Sequence, residues 1–333
     1  MDTQPLPSPS IDSPGVSPPL GSTISLLDSF DIDHLPDLDT VVMGALELFE
    51  QQPLPTLNLS HYHHPLVVGS GNAEATGRII FDKSQAVFAS ESNYLEALRT
   101  MPEIDSVVVL SASGSKHAPA IVDAARAAHK PVTLITNTPN SPAHASLDLS
   151  QAEHEYVFPK NREPYTYNTS TYMGMILGNT HEDPAVIRRF INERIATIEF
   201  PDFGSYDKYY LIVPPQFHGI KRMLEIKFIE LFGRNIARDI ETSEYVIHAT
   251  TVAPARELFI SFGETNSTWG DPQNRLTIPL PDGAGYGAMM AVGYYIVAQI
   301  QKAHPQYFKD NIVEYTKKVS ELFGREITAI VDK

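Results

Sequence analysis

Between Pro65 and Asn137 the chain alternates short apolar runs with longer segments whose apolar residues recur at helical spacing. PLVVGSG, AVFA, SVVVLSAS and PVTLITN are four to eight residues long and rich in β-branched side chains, so the pattern predicts buried strands. AEATGRIIFDK and HAPAIVDAARAAHK, which lie between them, have the spacing of amphipathic helices. Strand and helix in alternation predict a parallel sheet with crossover helices. A polar and aromatic stretch follows, NREPYTYNTSTYMGMILGN, and then a helical pattern over DPAVIRRFINERIATI. After PDFGSYD the alternation restarts, with KYYLIVPP, RNIARDI and ELFISFG as strands and HGIKRMLEIKFIELFG as a helix. Two long patterns close the chain, GYGAMMAVGYYIVAQIQKAH and NIVEYTKKVSELFG. The halves read as a diverged duplication of one α/β unit.

The opening residues are dense in Pro and Ser and have little to bury, so residues 1–27 are expected to be a disordered tail. Residues 28–203 are expected to form the first domain, beginning with a short helix over VVMGALELFEQQP that Pro53 ends, and residues 204–333 the second. At 333 residues the chain is long enough for two medium domains.

A net charge of −15 argues against nucleic acid or an anionic membrane surface as partner, because both would repel the molecule at long range. An anionic ligand would have to be held by local donors. The chain has no cysteine, which removes disulfides, thiolate metal sites and a cysteine nucleophile and suits a reducing compartment. A cytoplasmic protein is expected, with no membrane span and no signal peptide.

In an open parallel sheet, ligands bind at the carboxyl ends of strands, where a loop leads into a helix N-terminus. Ser111, Ser113 and Ser115 fall at such a place, with Gly114 allowing close backbone approach and Lys116 adding a full charge. The earlier loop repeats the arrangement with Gly69, Ser70, Gly71 and Asn72. Together they predict a phosphate cradle, although serine and glycine also cap helices at ordinary strand–helix turns. The glycines do not make a dinucleotide fingerprint, and Gly114–Lys116 lacks the spacing of a P-loop.

SASGSKHAPAIVDAARAAHKPVTLITNTPNSPAHASLD and NREPYTYNTSTYMG resemble segments of the tandem sugar isomerase (SIS) domain family, in particular the isomerase part of glucosamine-6-phosphate synthase. The resemblance covers most of the chain from Leu66 onward. It implies an α/β fold of two SIS-type domains, each a parallel sheet flanked by helices as a three-layer sandwich. It also implies a homodimer with the site at the subunit interface, and a phosphorylated sugar or aminosugar held by the first serine loop. Glu163 and Asn168 fall in the family's Glu-containing loop and join the expected sugar-binding set. Aldose–ketose isomerisation needs a base that carries a proton between C1 and C2, and a group that opens the ring. The resemblance places the base at Glu230, its orienting partner at Lys227, and the ring-opening histidine, donated by the other subunit, at His248. No cofactor and no metal are implied. Departures from the synthase are Ala112 for an amide side chain, Lys116 for a threonine and Gly71 for a serine. The synthase's sugar-contacting C-terminal lysine aligns near Arg325, which is left unassigned.

The implied reaction is phosphosugar aldose–ketose isomerisation or aminosugar-phosphate isomerisation/deamination. The alternatives are a fructosamine-phosphate deglycase and a non-catalytic sugar-phosphate-binding regulator. His61, His63 and His64 could ligate a metal but have no carboxylate or thiolate neighbour in sequence, which favours an ordinary loop. Tyr165, Tyr167 and Tyr172 could wall a sugar site or pack in the core. Trp269, in a polar loop, has no assigned place.

Overall fold

A computed structural model describes residues 22–59, 61–150, 153–253 and 255–333. Two helices come first, α1 (Thr23–Ser29) and α2 (Leu38–Gln51). The first sheet is built from β1 (Pro65–Val68), β2 (Val87–Ala89), β3 (Ser106–Leu110), β4 (Val132–Thr136) and β5 (His154–Val157), with α3 (Asn72–Ile80), α4 (Tyr94–Thr100), α5 (Ala118–Ala127) and α6 (Pro142–Ser146) between them. Its order is β2-β1-β3-β4-β5, all parallel. A short β6 (Glu163–Pro164), α7 (Thr169–Thr180) and α8 (Pro184–Phe190) lead to the second half. There the order is β10-β9-β7-β8, again all parallel, from β7 (Lys208–Val213), β8 (Ala237–Thr242), β9 (Glu257–Phe262) and β10 (Arg275–Ile278). Helices α9 (Lys221–Phe232), α10 (Val246–Ala249), α11 (Tyr286–Ala303) and α12 (Tyr307–Phe323) belong to this half, and β11 (Ile330–Val331) ends it. The fold is α/β, two parallel sheets each packed on helices, as the pattern predicts.

The alternation of side chains along each strand divides the core. In the first sheet Leu66, Val68, Val107 and Val109 face a cluster with α4, α5 and α6, while Val67, Val108 and Leu110 face the opposite way. That inner face joins one large core with α2, α7, α9 and α11 and with Leu211, Val213 and Ile260 of the second sheet. The two halves therefore share a hydrophobic core. The outer face of the second sheet carries a small cluster of Tyr210, Ile212, Val246 and Phe259, on which Trp269 packs.

Two boundaries differ from the expectation. The Pro/Ser-rich tail was expected to reach residue 27, but a helix is formed from Thr23: Leu27 is fully buried, and Glu47 receives the Ser22 hydroxyl at 2.7 Å and the Thr23 amide at 2.8 Å. The rest of that expected tail, residues 1–21, lies outside the described residues. At the other end, the chain does not stay with the second half. β11 pairs antiparallel with β6, and the Tyr165 amide donates to the Ala329 carbonyl at 2.8 Å.

Candidate functional site

The first sheet reverses its strand order between β1 and β3, and the loops that leave the carboxyl ends of those strands open into a crevice there. A cavity of about 460 Å³ lies at this point, lined by Ser70 from one loop and by Ser111, Ser113, Ser115 and Lys116 from the other. The second loop is held tightly. The Ala112 carbonyl accepts from the Asn137 amide and from the hydroxyls of Thr136 and Thr138, and the Gly114 carbonyl accepts from the Ala143 amide at 2.8 Å. Gly114 has φ +56°, and a Cβ there would meet Ser141 Oγ at 2.2 Å, so both conformation and space demand glycine. Lys116 adopts φ +54°, an uncommon strain for a side-chain-bearing residue, in the turn that starts α5.

The Ser113 and Ser115 hydroxyls lie 2.6 Å apart, and Arg325 Nη1 donates to Ser115 Oγ at 3.2 Å. Lys116 Nζ stands 3.6 Å from the centre of the Phe323 ring. Burial, and after it the Arg325 charge, lowers the Lys116 ammonium pKa, while Glu91 acts the other way. A bound anion would relieve that repulsion. The Ser70 hydroxyl is committed to Glu91, whose carboxyl this bond holds below the ordinary range. The far wall is made by Tyr165, Asn168, Thr171 and Tyr172, and by Lys160.

Of the expected residues, Gly69, Ser70, Ser111, Ser113, Ser115, Lys116 and Asn168 therefore line one cavity with Tyr165 and Tyr172, whereas Gly71, Asn72, Glu163, Lys227, Glu230 and His248 do not line it. Gly71, with φ +58°, is the N-cap of α3. Asn72 is buried and turned toward Glu230, its Nδ2 3.4 Å from Glu230 Oε1 and its Oδ1 without a partner among the described residues. Glu163, expected to contact the sugar, is instead a helix cap. It is buried, and its two oxygens accept from the Thr169 amide at 2.6 Å and the Ser170 amide at 2.7 Å. Asn168, the residue before α7, is left-handed at φ +45° and makes no side-chain cap, so the carboxylate takes that role. His248 is exposed on α10 in the second half and does not line the cavity.

Lys227 and Glu230 are three residues apart on α9, and Lys227 Nζ donates to Glu230 Oε2 at 2.7 Å. Lys227 is fully buried and also donates to the carbonyls of Tyr167 at 2.7 Å and Thr166 at 3.2 Å. It pins the loop that presents Tyr165 and Asn168. Glu230 keeps 18% side-chain exposure. Burial pushes its carboxyl above the ordinary glutamate range, and Lys227 pulls it back. Tyr165 and Tyr172, in the cavity wall, are raised chiefly by burial, Tyr165 also by Tyr315 and both to a lesser degree by the Glu230 charge.

Three charged lining residues, Arg325, Lys160 and Glu91, were not assigned from sequence. Arg325 arrives because β11 pairs with β6, a contact between ends of the chain that no local pattern announces. Lys160 follows β5, a strand the pattern did not reveal, and Glu91 follows β2. The sequence signal for Glu91 was its position just after the AVFA strand, whereas Lys160 had none. The His61–His64 run works through its backbone, the amides of His63 and His64 donating to Asp105 Oδ2 at 2.8 and 2.9 Å. Among the described residues no three His, Asp or Glu side chains are grouped to hold a metal, and no helix is long and apolar enough to cross a membrane.

No protein-family model matches the sequence, and no curated protein does. Solved structures do match in fold. Glucosamine-6-phosphate deaminase from Thermotoga maritima superposes with a TM-score of 0.55 at 15% identity, over 79% of this chain and 92% of that one. Tagatose-6-phosphate ketose/aldose isomerase from Escherichia coli gives 0.53 at 10% identity, over 88% and 93%. A candidate phosphosugar isomerase from Clostridium difficile gives 0.55 at 11% identity, over 82% and 93%. The chain has the fold of two SIS-type domains in tandem, in agreement with the sequence resemblance. The likeness is one of fold, and the reaction has to be argued from the site.

Proposed function

We propose that the chain is an enzyme of phosphorylated sugars, an aldose–ketose isomerase or an aminosugar-phosphate isomerase/deaminase. One observation carries the reading. In a chain of net charge −15, a cavity at the strand-order reversal gathers the hydroxyls of Ser113 and Ser115 between Lys116 and Arg325. Hydroxyl donors flanked by two cations, at the start of α5, match a phosphate group, which is bound by several donors and by local positive charge.

Glu230 is the base in this reading. It takes a proton from the sugar carbon next to the carbonyl or imine, and returns it to the neighbouring carbon through an enediol or enediolamine. A carboxyl whose pKa is raised by burial is a stronger base than an exposed one, and Lys227 holds it in place. His248 would open the ring as a residue of a second copy of the chain, which makes the homodimer part of the proposal. A deglycase would use the same base and cradle. A binding-only regulator gains from two facts, that neither Glu230 nor His248 lines the cavity within a single chain.

The test is a thermal-shift titration with fructose 6-phosphate, glucosamine 6-phosphate and inorganic phosphate, followed by proton-exchange and turnover assays. A ligand bound by the native state raises the melting point by mass action. Stabilisation that Lys116→Ala weakens, with turnover that Glu230→Gln abolishes, supports the enzyme. Stabilisation without exchange or turnover supports the regulator, and no shift with any phosphosugar overturns both.

A further inference from the structure

The proposed phosphate pole uses Ser113, Ser115, Lys116 and Arg325 of the cavity lining. Lys160, half-buried, also lines the cavity and has no hydrogen-bond or ion-pair partner among the described residues. Desolvating a lone ammonium is costly, so a lysine partly withdrawn from water beside a cavity gains from an anionic partner. Lys160 is lowered by burial, and the charges it feels are Glu163 and Asp332, neither within bonding distance, whereas Lys116 feels Arg325 and Glu91. Lys116 follows β3 and Lys160 follows β5, two places apart in the order β3-β4-β5, so their strand ends are roughly 10 Å apart at about 4.8 Å per strand.

We infer that the ligand of this cavity carries a second anionic group, a carboxylate, that pairs with Lys160 while the phosphate lies between Lys116 and Arg325. The inference rests on the phosphosugar reading above and specifies its substrate class, a sugar phosphate bearing a carboxylate at the end away from phosphorus. A second phosphate is a poor match for this pole. The helix N-terminus on that side, at α7, is already filled by the Glu163 carboxylate, and no hydroxyl pair like Ser113–Ser115 accompanies the lysine. One ammonium suits one negative charge. The carboxylate has two chemical sources, the first carbon of a sugar acid or an amino acid joined to the sugar through its amine, and the second would bring the deglycase reaction forward.

The experiment is a calorimetric comparison of dissociation constants on the full chain. Fructose 6-phosphate carries no carboxylate, 6-phosphogluconate carries one on the sugar, and the 6-phosphate of fructosyl-glycine carries one on the amine. The expected result is that at least one carboxylate ligand binds tenfold or more tightly than fructose 6-phosphate. Lys160→Gln should bring that ratio close to one and Lys160→Arg should restore it. Whichever carboxylate ligand shows the gain identifies the source. Equal constants for all three ligands, or an unchanged ratio in Lys160→Gln, would overturn the inference and leave the phosphosugar reading standing. Failure of fructose 6-phosphate and of both carboxylate ligands to bind would overturn the phosphosugar reading itself.

Discussion

Replacing Lys227 by methionine tests the joint between the two halves. The substitution keeps much of the apolar stem and removes the charge from a side chain with 0% exposure. Three donated hydrogen bonds disappear, to Glu230 Oε2 and to the carbonyls of Tyr167 and Thr166. Breaking a buried pair by removing one partner costs about 3–5 kcal/mol. The two carbonyls would add about 1 kcal/mol each if independent, but they share the same donor, so about 3–5 kcal/mol in total is expected. The loss should depend on pH. Burial already holds the Glu230 carboxyl above its ordinary range, and removing Lys227 raises it further. Between the unfolded glutamate value, about 4.3, and that raised value, the native mutant binds more protons than the unfolded chain, so its stability falls as pH rises. Urea unfolding at pH 5 and pH 8 should therefore show a smaller gap between wild type and mutant at pH 5. A loss under about 1 kcal/mol, or an equal loss at both pH values, would refute the description of Lys227 as the counterion of Glu230 and the pin of the 166–167 loop.

Three further outcomes are expected. Gly114→Ala forces a left-handed alanine whose Cβ lies 2.2 Å from Ser141 Oγ, so phosphosugar stabilisation in a thermal-shift assay should be lost along with about 1–3 kcal/mol of folding stability. Glu182→Ala removes the carboxylate that accepts from the amides of Gly285, Gly287 and Ala288 at the start of α11, and urea melts should show a loss of about 2–3 kcal/mol. Because the base must be ionised and its carboxyl is raised by burial, the acid limb of kcat/KM should fall above the ordinary glutamate range, and Glu230→Gln should abolish the activity that limb reports.

How much could be read from the sequence followed the burial of each segment. β1, β3 and β4 are buried along their whole length, so they are continuous apolar runs and read plainly as strands. β5, HEYV, and β10, RLTI, are edge strands of four residues each with mixed polarity, and they carry no such signal. The serine loops were legible because their chemistry is local, several hydroxyls and glycines within six residues of a strand end. Arg325 was not, since its partner Ser115 lies 210 residues away and depends on β11 returning to β6. Glu163 has a structural role that its sequence position did not announce. Its place before a Ser/Thr-rich helix resembled a ligand loop, but Asn168 is left-handed and cannot cap α7, so the helix draws on the glutamate instead.

The duplicated topology accounts for why one cradle exists and not two. Read outward from their first strands, the sheets have the same order, β2-β1-β3-β4 and β8-β7-β9-β10, so β7 and β9 meet at a reversal equivalent to that of β1 and β3. At the first reversal β3 leads into α5, which brings a helix N-terminus, and Lys116 precedes it. At the second, β9 leads through Gly263 and Trp269 to a single 3-10 turn, Pro272–Asn274, before β10 begins. No α-helix forms there, and the cavity beside it is about 160 Å³ and contributes Glu264 rather than a cation. The second half serves the site from the other direction. Its α9 passes under the wall and supplies Lys227 and Glu230, and its C-terminal segment returns to place Arg325 on the Ser115 hydroxyl. The two halves therefore contribute differently, the first the serine loop with Lys116, the second Lys227, Glu230 and Arg325. That division requires the shared core, because the base and the cradle stay in register only while α9 and α11 remain packed against α3 and α7.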